Sequence, residues 1–467
     1  MTAVKWAKSY SDVGFFLFFR FFPLVHLLVF NKYAMKKSLF FVLMLCLGVA
    51  NAWAGGCRAM VQDSLENEFV KGDEAFASGN YEAAASVWYD AAVAGHAQSQ
   101  LSYALCLYNG TGVEQDYAAA LEWFKKSARQ GNAEAQFSLG YCYDYALGAD
   151  YSCEEAMKWY KMAAEQGHAD AQFCLGVLYF NPQSGEPDYA MALEWFCKAS
   201  EQGNADATSY IGSFYLNGHG VEQDDEKAYS YFKKAAEAGS PEGIYNLGYC
   251  YFWGIGIEYD TGKAIRNYEK AAEQGLAVAQ CDLASYYLSE GDDESVRKAL
   301  DWLNMAVEQG DACAQYMLGS IYYEGEMVEK DLEKAVALFA QSAEQGHGDA
   351  QCSLGFCYMT GQGVARNCKT ALRWLVKSAE QKNAQAYCSI GICYYEGLGV
   401  EQNFTEAVKW FSLAAEQENA DALYYLGVCH YNGQGVAKDK KSGIRLLRRS
   451  RSAGSEDAAD ALELLSE

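Results

Sequence analysis

Sixteen cysteines and six histidines are the side chains through which this 467-residue chain could bind a metal, exchange disulfides or attack a substrate. Their spacing supports none of these in an established form. The histidines stand at 26, 96, 168, 219, 347 and 430 without an H-E-x-x-H pair, and no C-x-x-C occurs, so no zinc site is indicated. No G-x-S-x-G places a serine on a nucleophile elbow. Gly110-Thr111-Gly112 and Gly218-His219-Gly220 look like pieces of phosphate loops, yet no G-K-[ST] follows and no strand precedes them. His96, His168 and His347 each follow a glycine and read as solvent-exposed turn residues. No catalytic residue, metal or cofactor is therefore expected.

The cysteines fall into a pattern. Cys142, Cys250, Cys357, Cys393 and Cys429 stand two residues after a glycine, and Cys106 two after Ala104. Equivalent positions on stacked helices lie about 8–10 Å apart, farther than a disulfide spans. These thiols read as small buried apolar groups.

The spacing of that pattern belongs to a repeat. The phrase A-E-Q-G and its variants ends at Gly95, Gly131, Gly167, Gly203, Gly239, Gly275, Gly310 and Gly346, continues at Lys382 and Glu418, and ends again at Gly454. The steps are 36 residues, with one of 35 between Gly275 and Gly310. Within each step one apolar segment, helix A, carries L-G-x-x-Y. A glycine-bearing loop follows, then a second segment, helix B, with A-x-x-W-[FY]-x-x-A-A. Ala156, Trp159, Tyr160 and Ala163 show the helical spacing of the second segment. The closing glycine suits a left-handed residue after helix B, and the acidic loop suits the start of helix B. Two short amphipathic helices cannot bury a core alone, so neighbouring units must stack into an array without internal boundaries. Only 4 prolines interrupt so much helix, and the 43 glycines are mostly punctuation.

L-G-x-x-Y-x-x-G-x-G-V-x-x-D followed by A-x-x-W-[FY]-x-x-A-A-E-x-G, at this period, resembles the Sel-one-like repeat, a longer-looped relative of the tetratricopeptide repeat. The resemblance runs from about Ala97 to Gly454, with Ala104 and Ala284 in place of the helix A glycine and an irregular loop, NPQSGEPD, after Phe180. It implies an all-α, right-handed α/α superhelical solenoid of about eleven helix-loop-helix repeats with a C-terminal capping helix, acting as an adaptor that holds other proteins. Some secreted Cys-rich members pair a helix A cysteine with a helix B cysteine in each repeat. Here the clear helix B cysteine is Cys197, with Cys174 as its possible partner, so the full ladder is missing and that group's β-lactamase or penicillin-binding activity is only an alternative.

The domain reading follows. Residues 1–34 hold a greasy stretch and read as a mis-assigned start or an extra hydrophobic segment; residues 35–54 read as a signal peptide with Ala52-Trp53-Ala54 at its cleavage site. Cys57 is a weak lipidation candidate, which leaves a membrane-anchored assembly factor as a further alternative. Residues 55–64 form a short linker, 65–95 an atypical tetratricopeptide-like hairpin, 96–454 the array and 455–467 the cap. The expected location is the periplasm, the cell envelope or outside the cell, with membrane contact only through the leader or a lipid. Asp and Glu total 61 against 37 Lys and Arg, a net charge of −24, which excludes nucleic acid as a partner.

Protein or peptide partners are expected on helix A, which lines the inner face in tetratricopeptide arrays. Three before, one after and four after the helix A glycine stand Phe137, Tyr141, Phe173, Phe180, Tyr245, Tyr249, Phe252, Tyr316, Tyr323, Phe356, Tyr395, Tyr424 and Tyr431. Aromatic side chains carry disproportionate binding energy. The tyrosines three after the glycine, Tyr143, Tyr179, Tyr215, Tyr251, Tyr287, Tyr322, Tyr358 and Tyr394, read as core. Lys440, Lys441, Arg445, Arg448, Arg449 and Arg451 make a basic patch in an acidic chain, a candidate dock for an acidic partner or for self-association.

Overall fold

The computed structural model describes residues 62–182 and 185–465. The expected leader and Cys57 lie outside the described residues. Within them are 23 helices and no strand, beginning with the hairpin of helix 62–77 and helix Tyr81–Val93. Within each of the chain's two units, an A helix packs mainly against the B helix that follows it, and each B helix then packs against the next A helix. The chain forms two compact units, one ending at Gly185 and the other starting at Glu186, where the sequence suggested an uninterrupted array. The division falls in the irregular loop between helix A Ala169–Phe180 and helix B Tyr189–Glu201.

One unit of sequence shows why the helices begin and end where they do. Asn132 caps helix A Ala133–Asp144, its side chain accepting the Ala135 N–H at 2.9 Å. Ser152 does the same for helix B Cys153–Glu165. In seven other repeats the aspartate of V-x-x-D or its equivalent, such as Asp224 or Asp331, caps helix B. The acidic loop residue is thus a hydrogen-bond acceptor for the free N–H groups, which adds to the favourable helix dipole. Helix B ends in a left-handed residue, with φ of 93° at Gly167 and 97° at Gly346. Lys382 and Glu418 hold the same geometry at 64° and 57°, so the fold tolerates the side chain there at a local cost.

Helix A Ala277–Glu290 lacks this device, because Leu276 stands at the N-cap and offers no acceptor. Leu276→Asn is expected to stabilise the protein by less than about 1 kcal/mol, the usual worth of a cap minus the lost packing of a partly buried leucine. A denaturant titration reads it, and an unchanged midpoint would mean that the leucine's packing matters more.

The core lies between the helices of a pair and between successive pairs. The second aromatic of helix B forms it: Phe124, Tyr160, Phe196, Phe232, Phe339 and Phe411 are each 2% exposed or less. The helix A glycine leaves room for that helix B side chain. A Cβ placed on Gly391 would stand 2.5 Å from Phe411 Cδ1, one on Gly140 2.7 Å from Tyr160 Cδ1, and one on Gly355 2.7 Å from Leu375 Cγ. Ala284 and Ala104 take the glycine's place in clusters with Leu303 and Phe124 respectively.

Three expectations are corrected here. The tyrosines three after the glycine are half-buried, not core. One ring face packs on the core while a helix B lysine covers the other, as with Lys334 over Tyr322 at 3.9 Å and Lys263 over Tyr251 at 5.0 Å. His96, His168 and His347 are N-caps, not open turn residues: each Nδ1 accepts a backbone N–H three residues on, and His96 is 4% exposed. Cys153 and Cys368 also belong to B helices, each as the first residue.

Candidate partner-binding face

Adjacent repeats are joined by a polar seam whose residues the sequence reading passed over. Gln351, fourth in helix A Gly348–Thr360, is 4% exposed. Its Nε2 donates to the Ala343 carbonyl of the preceding helix B at 3.2 Å, and its Oε1 accepts from Gln381 Nε2 at 3.0 Å. Gln381 Nε2 also donates to the Gly346 carbonyl at 2.8 Å, while Ser378 Oγ donates to the Gly348 carbonyl at 2.7 Å. The same glutamine pair recurs as Gln100 with Gln130, Gln136 with Gln166, Gln280 with Gln309 and Gln315 with Gln345. Its signal lay in the sequence, in the glutamine of A-x-A-Q and that of E-Q-G. These amides satisfy the last carbonyls of each helix B, which would otherwise be buried without a donor.

Against that frame the expected binding residues separate. Position three before the glycine is largely an inter-repeat joint. Phe137 stacks on His168 at 4.7 Å and Tyr316 on His347 at 4.9 Å, so the N-cap residue of the next repeat covers one ring face. The Tyr245 hydroxyl donates to Asp282 at 2.8 Å, and burial raises the pKa of both groups. Phe173 is half-buried. At the position after the glycine, Tyr141 stacks on Tyr145 at 4.3 Å, and Tyr249 lies 6.2 Å from Trp253, which is 63% exposed. Tyr424 packs edge-on to Tyr425 at 5.3 Å.

Three of the expected residues, Tyr316, Tyr323 and Phe356, meet in one cavity. Tyr316 and Phe356 line a cleft of about 300 Å³ with Tyr323, Ser353, Gln385 and Ser389. These come from three consecutive A helices, Ala312–Glu324, Gly348–Thr360 and Ala384–Glu396, and Phe339 of helix B forms part of the wall. Its walls stay uncharged apart from Glu324: burial raises Tyr316 and pushes the Cys352 thiol up to about 12. Aromatic faces with neutral hydroxyls and an amide suit an apolar side chain and its flanking peptide backbone.

The basic patch takes a different form. Lys440, Lys441, Arg445, Arg448, Arg449 and Arg451 are all exposed on helix Lys440–Ser452 or its first turn. Arg445, Arg448 and Arg449 border a shallow depression with Glu418, to which Arg449 is paired. Lys440 sits over Tyr431 at 4.9 Å.

The cysteines two after the helix A glycine are buried and unpaired, and burial is the main cause that pushes Cys142, Cys250 and Cys393 up to about 12, with a smaller push from Asp225 on Cys250 and from Cys368 on Cys393. Cys174 and Cys197 are free as well. Among the described residues no three His, Cys, Asp or Glu side chains converge to hold a metal, and no helix is long and apolar enough to cross a membrane.

Ten consecutive matches to the Sel1 repeat model run from residue 96 to residue 455. The chain belongs to the Sel1 repeat family. The matches begin after the first hairpin, and each covers a helix A and the helix B that follows it, the one at 314–347 starting two residues into its helix A. Among solved structures, c5321, a protective antigen present in uropathogenic Escherichia coli strains and displaying an SLR fold, is 31% identical, with a TM-score of 0.52 over 86% of this chain and 91% of that one. A Sel1 repeat protein from Oxalobacter formigenes is 32% identical over 66% of this chain and 90% of its own, with a TM-score of 0.44. No curated protein matches the chain.

Proposed function

We propose that this Sel1 repeat protein is an exported, non-catalytic scaffold that holds a protein or peptide partner along its A helices. The observation that carries the reading is the cleft at Tyr316 and Phe356, where three repeats contribute to one aromatic-walled cavity with a single carboxylate, Glu324, at its lining. A volume of about 300 Å³ holds an anchoring side chain, with Ser353, Gln385 and Ser389 as polar groups on its lining. Export is supported by the signal pattern at residues 35–54, and c5321, which the chain resembles, is a protective antigen.

A photoreactive residue at Ser353, in the cleft, is compared in the native envelope with one at Glu333, exposed on helix B. Ser353 is expected to give discrete partner adducts, reduced about tenfold by Tyr316→Ala with Phe356→Ala, the loss of about one hot-spot residue or more. Equal adducts from both positions would sink the reading. Turnover of a chromogenic β-lactam by purified residues 55–467 would replace it with the enzymatic alternative.

A further inference from the structure

One inter-repeat joint in the second unit is built from thiols. At the place filled by Phe137 or Tyr316 elsewhere, three before the glycine position, helix A Ala277–Glu290 carries Cys281. At the place filled by Glu134 or Asp349, the second residue of the next helix A, helix Ala312–Glu324 carries Cys313. In the other joints these positions reach the N-cap of the following repeat: Phe137 stacks on His168 and Glu134 lies 2.9 Å from its Nε2. Here Cys281 is 4% exposed, and its thiol donates to the N-cap residue Asp311 at 3.5 Å. Cys313 stands exposed two residues beyond that cap, and Asp311 Oδ1 also accepts the Ala314 N–H at 2.8 Å, so the Cys281 thiol lies at the first turn of the helix that carries Cys313. Interaction between the two thiols is the main cause that raises Cys281 and holds Cys313 below the usual thiol range. Burial and the carboxylates of Asp311, Asp282 and Asp349 oppose the lowering. The first residues of a helix also favour a thiolate.

We propose that Cys281 and Cys313 are a redox-active dithiol, which closes into a disulfide between consecutive A helices by exchange with a small disulfide of the glutathione class. The Cys313 thiolate attacks one sulfur of glutathione disulfide and releases one glutathione thiolate, leaving a mixed disulfide. Cys281 gives its proton to solvent or to Asp311 and attacks the Cys313 sulfur, releasing the second glutathione. Two thiols are oxidised and one disulfide is reduced to two glutathiones. The exposed residue is the attacking one and the buried neighbour resolves it, an order that the burial of Cys281 imposes.

The joint also lies where the array departs from its own rules. The 35-residue step, the uncapped Leu276 and the alanine at 284 all belong to this repeat. A covalent link here would hold together the junction with fewer of the standard contacts, and export into an oxidising compartment would favour its formation.

The test uses the folded full-length chain treated with glutathione disulfide at neutral pH, with peptide mapping by mass spectrometry. Expected is one linked peptide pair containing Cys281 and Cys313, lighter by two hydrogens, and about a tenfold fall in alkylation of Cys313. In Cys281→Ala the Cys313–glutathione adduct should persist instead of resolving, and in Cys313→Ala residue 281 should stay unmodified. Circular dichroism confirms that both variants remain helical. A Cys313–glutathione adduct of equal lifetime in wild type and Cys281→Ala, or no modification of either cysteine, would overturn the proposal.

Discussion

Phe411→Ala is expected to cost about 3–5 kcal/mol of stability, the range for deleting a fully buried ring that its surroundings cannot replace. Phe411 is 0% exposed and touches two repeats at once. On its own repeat it fills the notch at Gly391, and on the next it stacks on Tyr425 at 5.1 Å with the rings 8° from parallel. Its removal therefore leaves a cavity inside one helix pair and unlocks the following one. In a repeat array, stability is a sum of unit and interface terms, so losing one interface should split the melt as well as lower it. Hydrogen exchange should show residues 420–465 opening ahead of the repeats before them. Gly391→Ala provides the complementary test. It adds helix propensity but forces a methyl group against the ring, and should cost about 1–2 kcal/mol net. Adding Phe411→Leu to Gly391→Ala should recover part of that loss, since it removes the ring atoms that the new methyl group meets. A Phe411→Ala chain that lost under 1 kcal/mol and melted in one transition would contradict this view of the joint.

The repeat was legible because punctuation survives in the chain: a left-handed residue every 36 positions can be read without coordinates, and it located both helices of each unit. The even substitution of Lys382 and Glu418 into that position did not hide it. What sequence could not give was the facing of individual rings. Tyr322 and Phe339 are both apolar-face aromatics by spacing, yet only Phe339 enters the core, because the helix A glycine opens a notch toward helix B and the tyrosine three residues on points to the edge. The same limit applied to the binding face. Phe137 and Tyr316 occupy equivalent positions and both stack on a histidine, but only Tyr316 lies beside a described cleft. The histidines were misread for a different reason: a residue after a helix-ending glycine is also the residue before the next helix, where an imidazole Nδ1 serves as a cap.

The buried amides decide how rigid that binding face is, and they have a distinctive signature. Gln351→Glu changes the size of the side chain very little but replaces a donor with an acceptor. The Ala343 carbonyl then faces a carboxyl oxygen, and Gln381 can donate to only one of the two oxygens. A carboxylate there is buried and only half satisfied, so its pKa must rise above the ordinary value of about 4.3. The sign follows from that rise. The folded state binds the proton more tightly than the unfolded chain, so the variant keeps its stability below about pH 4 and loses it as pH rises through the folded pKa. Relative to wild type, whose glutamine does not titrate, the deficit should be small at pH 4 and reach about 3–5 kcal/mol at pH 8. Paired denaturant titrations across that interval measure it. Gln351→Met serves as the control: it loses the same hydrogen bonds without a charge, and should show a deficit of about 1–3 kcal/mol that does not change with pH. If the glutamate variant also showed a flat deficit, water would have to reach the seam, and the A helices could not hold the cleft at Tyr316 and Phe356 as a fixed surface.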